Sequence, residues 1–218
     1  MDRDDPVLVG PRVVVRLPLR EDADALARFY RENDAHLSVF ETPRPRAFLD
    51  PFFWTAEVAR RRTAYARDHA ARLVVVDREG RAVGEPDEVI GVAHLTSIVR
   101  GVVHLATLSY AIAERAEGKG LMAEALGLVV GHAFGPMNLH RLVANHRVEN
   151  RRSARLLDGL GFAIEGYARA YLLANGRWVD HVLRARVNPA WRVPPGTLVR
   201  HQDGRVEELR PDPDPPVG

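Results

Sequence analysis

The stretch that decides the fold is Tyr110-Ala111-Ile112-Ala113-Glu114-Arg115-Ala116-Glu117-Gly118-Lys119-Gly120-Leu121-Met122. It begins at the end of a β-type run, Val102 to Ile112. It ends in a helical run, Leu121 to about Phe134, apolar at Leu121, Met122, Ala125, Leu126, Val129 and Ala133. Between them stands Arg115-x-x-Gly118-x-Gly120. A helix N-terminus leaves backbone N–H groups without intrahelical partners and carries positive dipole potential. Glycines let such a backbone approach an anion with no Cβ in the way. With charge from Arg115 and Lys119, the junction reads as a diphosphate site that needs no metal. A plain turn is the alternative that two glycines leave open. No Ser or Thr follows Lys119 to hold magnesium, and the third glycine of the dinucleotide fingerprint is missing.

Outward from this junction the pattern alternates between strands and helices. Toward the N-terminus lie a strand at Val13–Leu17, a helix at Glu21–Glu32, and a turn-rich connection from Asn33 to Pro45. A second helix runs from Pro51 to about His69, with proline well placed in its first turn. Leu73–Asp77 is a short buried strand, Arg78–Glu88 a loop, and Val89–Val99 a long strand joined to the next at Arg100-Gly101. Toward the C-terminus come a strand at Leu139–Asn145, a helix at Asn150–Leu160 closed by Gly161, and strands at Ile164–Tyr171 and Trp178–Val187. Central antiparallel strands with helices before and after them define an α+β domain. From Asn188 onward the chain holds seven of its 15 prolines, and its last ten or so residues are expected to be disordered.

A second segment, Asn150-x-x-Ser153-x-x-Leu156-Leu157-x-x-Leu160-Gly161-Phe162, has a purely structural reading. Asn150 caps, the leucines pack and Gly161 stops the helix. Ser153, one turn beyond the cap, could also face a neighbouring anion site. The two segments in this order resemble the GCN5-related N-acetyltransferases (GNAT), which use acetyl-coenzyme A. Gly118-Lys119-Gly120-Leu121-Met122-Ala123-Glu124-Ala125, Glu165-Gly166-Tyr167-Ala168-Arg169 and Asn175-Gly176-Arg177-Trp178-Val179-Asp180-His181-Val182-Leu183 are similar to the RimJ/RimL branch, the ribosomal-protein-alanine N-acetyltransferases. The match runs from Val13 to Trp191.

The resemblance implies a GNAT acyl-CoA N-acyltransferase fold: a mixed, mostly antiparallel twisted sheet flanked by helices. It implies a domain at 13–191, a short segment at 1–12, and a proline-rich, partly disordered tail at 192–218. Acetyl-CoA is the implied cosubstrate, with no metal. Arg115, Gly118, Lys119, Gly120 and the backbone around Glu117 and Leu121 would cradle the coenzyme diphosphate. The strand end at Ser109, Tyr110, Ala111 and Ile112 would splay from its neighbour and bond the pantetheine arm. Asn145, Asn150 and Ser153 would lie near the pantetheine and thioester, and Arg155 near a coenzyme phosphate, a solvated arginine being the alternative. Where many members carry a tyrosine that protonates the leaving thiolate, this chain has Leu157. Ser153 is then the candidate acid, with Tyr171 or a water behind it.

Acetyl transfer needs a neutral amine, a donor for the developing oxyanion and a proton for the thiolate. A backbone N–H near Ile112 would supply the second, worth about 3 kcal/mol. An α-amino group of pKa about 7.8 is roughly 10–20% neutral at pH 7, whereas a lysine near 10.4 is neutral in well under 0.1% of molecules. An N-terminal amine therefore needs only a modest base. Glu41, in the loop after the first helix, is the candidate, with Glu165 and Asp180 behind it. Asp180-His181 also reads as a structural pair.

Composition removes other classes. The 218 residues are 46% hydrophobic and 28% charged, ordinary for one globular domain. With no cysteine, disulfides and thiolate chemistry are excluded. No run nears the roughly 18 apolar residues of a membrane helix. The N-terminus lacks the basic start and apolar run of a signal peptide, so a cytoplasmic protein is expected. A net charge of +2 demotes phosphate-driven nucleic-acid binding. The histidines show no HExxH spacing, and Arg60-Arg61-Arg62 reads as a solvated helix face. The acceptor implied by the resemblance is an N-terminal alanine amine of a ribosomal or other protein, and the assembly a monomer or homodimer. A small-amine acetyltransferase, a non-catalytic acyl-CoA-binding module and a ribosome-assembly protein remain open.

Overall fold

The computed structural model describes residues 5–40, 45–80, 88–174 and 176–208. Eight strands form one sheet: β1 (Val7–Val9), β2 (Val13–Arg16), β3 (Ala71–Asp77), β4 (Val89–Val99), β5 (Leu105–Ile112), β6 (Arg141–Arg147), β7 (Ala163–Ala174) and β8 (Arg177–Val187), in the spatial order β1-β2-β3-β4-β5-β6-β8-β7. Every pairing is antiparallel except β5 with β6. The helices are α1 (Ala23–Glu32), α2 (Asp34–Leu37), α3 (Pro51–Ala66), α4 (Leu121–Phe134) and α5 (Arg151–Gly159).

Side chains alternate across a strand, so residues an odd number apart face opposite sides. On β4, Gly91 faces Met122 of α4, while His94 feels the charge of Arg61 on α3. The sheet is therefore sandwiched, with α1 and α3 on one face and α4 and α5 on the other. Coverage on both faces explains why Leu73–Val76 is an unbroken apolar run, each residue buried. Under α3 the core centres on Trp54, fully buried, stacked on Tyr30 with centroids 5.1 Å apart; its indole N–H donates to the Phe48 carbonyl (2.8 Å). No helix among the described residues is long and apolar enough to cross a membrane.

Several expectations need correction. The fold begins before Val13: β1 pairs with β2 through a tight turn closed by Gly10 N–H to Val13 O (2.8 Å). β5 starts at Leu105, because residues 101–104 form the turn and His104 takes a left-handed φ of 43°. The connection after α1 contains α2 and a 3-10 turn at Arg46–Leu49. β7 is longer than expected and bulges between Ala168 and Leu172. Beyond Trp191, β9 (Leu198–Arg200) and β10 (Val206–Glu208) make a separate hairpin inside the expected tail; the proline-rich end at 209–218 lies outside the described residues. The Arg60–Arg62 run is not wholly solvated either. Arg61 is 2% exposed, its guanidinium 4.8 Å from the Trp54 ring centroid and bonded to Glu57.

Candidate active site

The parallel pairing of β5 with β6 covers only Leu105–Thr107 opposite Arg141–Val143, and beyond it the strands part. Ala113 N–H donates to Ile90 O (2.8 Å), so in the antiparallel ladder the groups of Ala113, Ala111 and Ser109 turn toward β4. Those of Tyr110 and Ile112 consequently face the widening gap. The gap is a cleft of about 350 Å³ whose walls include Tyr110, Ala111 and Ile112 on one side and Asn150, Ser153 and Arg155 on the other.

The floor is the junction before α4. Gly118 and Gly120 both adopt positive φ, 72° and 75°, a left-handed conformation that residues with a Cβ avoid. The first helical carbonyl bond is Glu124 N–H to Gly120 O (3.1 Å), which leaves the N–H groups of Leu121, Met122 and Ala123 at the open helix end. Gly118, Gly120 and these three residues line the cleft. A Cβ placed on Gly118 would enter open space rather than protein. Bare backbone, a helix N-terminus and nearby arginines are the surface a diphosphate requires.

A clamp from the N-terminal strand pair fixes this loop. Glu124 accepts from Arg12 N–H (2.7 Å), Arg12 Nε (2.8 Å) and Val13 N–H (3.2 Å), and Arg12 Nη1 donates to Lys119 O (2.8 Å). Burial acts to raise the Glu124 pKa, but these bonds prevail and hold it below the usual carboxylate range.

On the opposite wall the Asn150 side chain accepts from Ser153 N–H (3.0 Å), capping α5. Ser153 Oγ lies 2.7 Å from the Tyr110 hydroxyl. Burial pushes that phenol up to about 12, against the lowering effects of the Ser153 bond and the Arg184 charge.

The other expected residues are elsewhere. Arg115 does not reach the cleft, because its guanidinium pairs with Glu88, a neighbour invisible in local sequence. Alternation puts the Ser109 and Asn145 side chains on the face opposite Ser153. Lys119 contributes its carbonyl to the Arg12 clamp. Glu41 lies outside the described residues. Glu165 pairs with Arg141 at the far end of β6. Asp180 pairs not with His181 but with Tyr167, and also accepts from Ala170 N–H (2.8 Å), which together lower its pKa. Tyr171 faces the His181 ring, with centroids 5.7 Å apart, and does not line the cleft.

The side chain of Glu117 acts apart from the backbone role expected of it, and His36 and Arg152, also lining the cleft, went unread. Glu117 spans the mouth, bonded to Arg152 on α5 and 3.3 Å from His36 Nε2 on α2. Arg152, two positions after the Asn150 cap, carried a readable signal as a cation at a helix N-terminus; His36 carried none. Arg147 donates to Val39 O (2.6 Å) and lies 5.7 Å from the Phe40 ring centroid, tying the segment before Glu41 to the end of β6. Among the described residues no cluster of three or more His, Asp or Glu could hold a metal.

The family model for the acetyltransferase (GNAT) domain matches residues 12–163. The chain belongs to the GNAT acetyltransferase family. This acetyltransferase is 38% identical over 184 residues to the ribosomal protein uS5-alanine N-acetyltransferase of Escherichia coli K12, a match covering 84% of this chain and 92% of the relative. Among solved structures it is similar to ribosomal-protein-S5-alanine acetyltransferase from Vibrio fischeri, with TM-score 0.81, 31% identity, and coverage of 87% of this chain and all of that one. Mycobacterium smegmatis RimJ in complex with CoA-disulfide matches with TM-score 0.73 and 26% identity, over 84% of this chain and 85% of that one. The protein is an acetyl-CoA-dependent N-acetyltransferase, and its fold is the GNAT fold.

Proposed function

We propose that this enzyme acetylates the N-terminal α-amine of a ribosomal protein, with alanine as the acceptor residue. The observation that carries the acceptor is the 38% identity, over nearly the whole relative, to an enzyme named for that reaction. Such an acceptor places the enzyme in the cytoplasm.

Acetyl-CoA supplies an activated acyl group and a thiolate leaving group. The chain's own residues do the rest. The amides at Leu121–Ala123, the bare loop at Gly118–Gly120 and the side chains of Arg152 and Arg155 hold the diphosphate end. The N–H of Ile112, turned from β4, meets the developing oxyanion. Asn150 fixes the first turn of α5 so that Ser153 stands beside the thioester, where it gives its hydroxyl proton to the departing sulfur. Glu41 follows α2 in sequence and is the candidate base, working on an α-amine already partly neutral at pH 7.

The test is acetyl-CoA turnover against N-terminal peptides, polyamines and aminoglycosides, with products identified by mass spectrometry. Transfer to an N-terminal Ala peptide is expected; selective transfer to a small amine would overturn the acceptor. Ser153→Ala is expected to lower kcat about a hundredfold with little change in coenzyme affinity. Unchanged kinetics would remove Ser153 from the reaction.

A further inference from the structure

The hydroxyl of Tyr110 does not end in solvent or on a backbone carbonyl. It meets Ser153 Oγ at 2.7 Å, from the β5 wall of the cleft to the α5 wall, across the gap where the sheet splits. Both partners are held. Tyr110 lies on a strand registered against Ala93 of β4, and the backbone of Ser153 is fixed by the Asn150 cap.

Behind Tyr110, on the same face of the sheet, sits the buried Arg184 guanidinium. It donates to His146 Nε2 (3.0 Å) and Phe162 O (3.0 Å) and pairs with Asp158. His146 thus presents an accepting ring nitrogen to that cation. Among the described residues the phenol's bond is to Ser153 and the charge that acts on it is that of Arg184, so no carboxylate is placed to take its proton.

A serine hydroxyl has one proton and two lone pairs. If Ser153 donated to Tyr110, that proton would point into the β5 wall, away from any thioester. If Tyr110 donates, the Ser153 proton is left to point into the cleft. A donor to Oγ also stabilises negative charge as the proton leaves, through hydrogen-bond cooperativity.

We infer that Tyr110 is a positioning residue for acyl transfer: it donates to Ser153 Oγ, directs the serine proton at the leaving sulfur, and keeps its own proton throughout. This rests on the proposed role of Ser153 as the acid. As the amine nitrogen bonds to the acyl carbon, the C–S bond breaks and its electron pair goes to sulfur. The Ser153 proton passes to that sulfur, the base takes the proton released by the amine and passes it to solvent, and Oγ regains a proton from solvent. Tyr110 neither gains nor loses a proton.

The test is a double-mutant cycle on the full-length enzyme with Tyr110→Phe, Ser153→Ala and the pair. kcat is read at saturating acetyl-CoA, and CoA affinity is read independently by titration calorimetry. Tyr110→Phe is expected to lower kcat about tenfold, which corresponds to about 1.4 kcal/mol, with the CoA Kd within twofold of wild type. The double variant is expected to be no slower than Ser153→Ala alone, because the hydrogen bond has nothing left to orient. If Tyr110→Phe merely damages the scaffold, its loss will recur in the Ser153→Ala background. Multiplying losses, or a Tyr110→Phe kcat within twofold of wild type, would overturn the inference while leaving Ser153 as the acid. A Ser153→Ala enzyme of normal kcat would overturn both.

Discussion

The sharpest consequence of the structure concerns Glu124, which ties the N-terminal strands to the coenzyme loop. In Glu124→Gln, the amide oxygen can still accept from the N–H groups of Arg12 and Val13. The amide nitrogen, however, replaces the oxygen that takes the Arg12 Nε proton at 2.8 Å, so two donors face each other. Hydrogen bonds to a charged group contribute about 1.5–3 kcal/mol and neutral ones about 0.5–1.5. Three bonds are weakened or lost, but the Arg12 side chain is 43% exposed, and its ion pair is discounted for solvent screening. A net loss of about 2 kcal/mol follows, which lowers Tm by about 4–8 °C for a domain of this size. The sign of the pH dependence is fixed by the depressed Glu124 pKa. A carboxylate whose folded pKa lies below its unfolded value, near 4.3, stabilises fully above that value. The contribution is lost as pH falls through the lower folded value. Calorimetric melting of both proteins should therefore show the full gap at pH 7, and the gap should close in acid. CoA affinity should also fall about threefold to tenfold, because Arg12 no longer steadies the carbonyl of Lys119. No gap at pH 7, or a gap that persists unchanged in acid, would refute the clamp.

Two further expectations follow from the same geometry. Gly120→Asp places a carboxylate at a left-handed position at the open end of α4, and calorimetry should show CoA affinity falling at least a hundredfold; an unchanged Kd would move the diphosphate elsewhere. His94 has its pKa driven well below 6.5 by burial and by the charges of Arg61 and Arg72. The unfolded chain thus binds a proton that the folded one refuses. Stability should decline as pH falls below 6.5, by up to about 1.4 kcal/mol per unit. Urea denaturation of His94→Leu at pH 7.5, 6.5 and 5.5 should show a shallower decline; parallel curves would count against it.

What the sequence disclosed was whatever is encoded locally. The helix at Leu121, the glycines before it and the Asn150 cap are each set by residues within a few positions, and each was readable from spacing. What stayed hidden depends on contacts distant in the chain. Arg115 looked like a phosphate ligand because it stands beside the glycines, but Glu88, 27 positions earlier, claims its guanidinium. Arg12 and Glu124, 112 positions apart, gave no local sign of each other. Arg61 read as solvated because its neighbours are, although the Trp54 ring and Glu57 draw it inward. The Tyr110 hydroxyl went unread because only the parting of β5 from β6 lets it reach α5.

The charges of the cleft bear on the leaving sulfur, and the basicity of the acceptor bears on the proposed choice of an α-amine over a lysine. Two helix N-termini, those of α4 and α5, open onto the cleft, each equivalent to roughly half a positive charge. Arg155 adds to them, while Arg152 is paired with Glu117, the one carboxylate lining the cleft among the described residues. Such a field favours an anionic diphosphate and stabilises negative charge on a departing sulfur, which lightens the demand on a hydroxyl acid such as Ser153. An amine near pKa 7.8 enters neutral by giving up little free energy at pH 7. One near 10.4 must give up about 1.4 kcal/mol for each of its roughly three additional units before it can attack. In the proposed reaction the less basic amine is therefore the acceptor that costs less to bring to the attacking form.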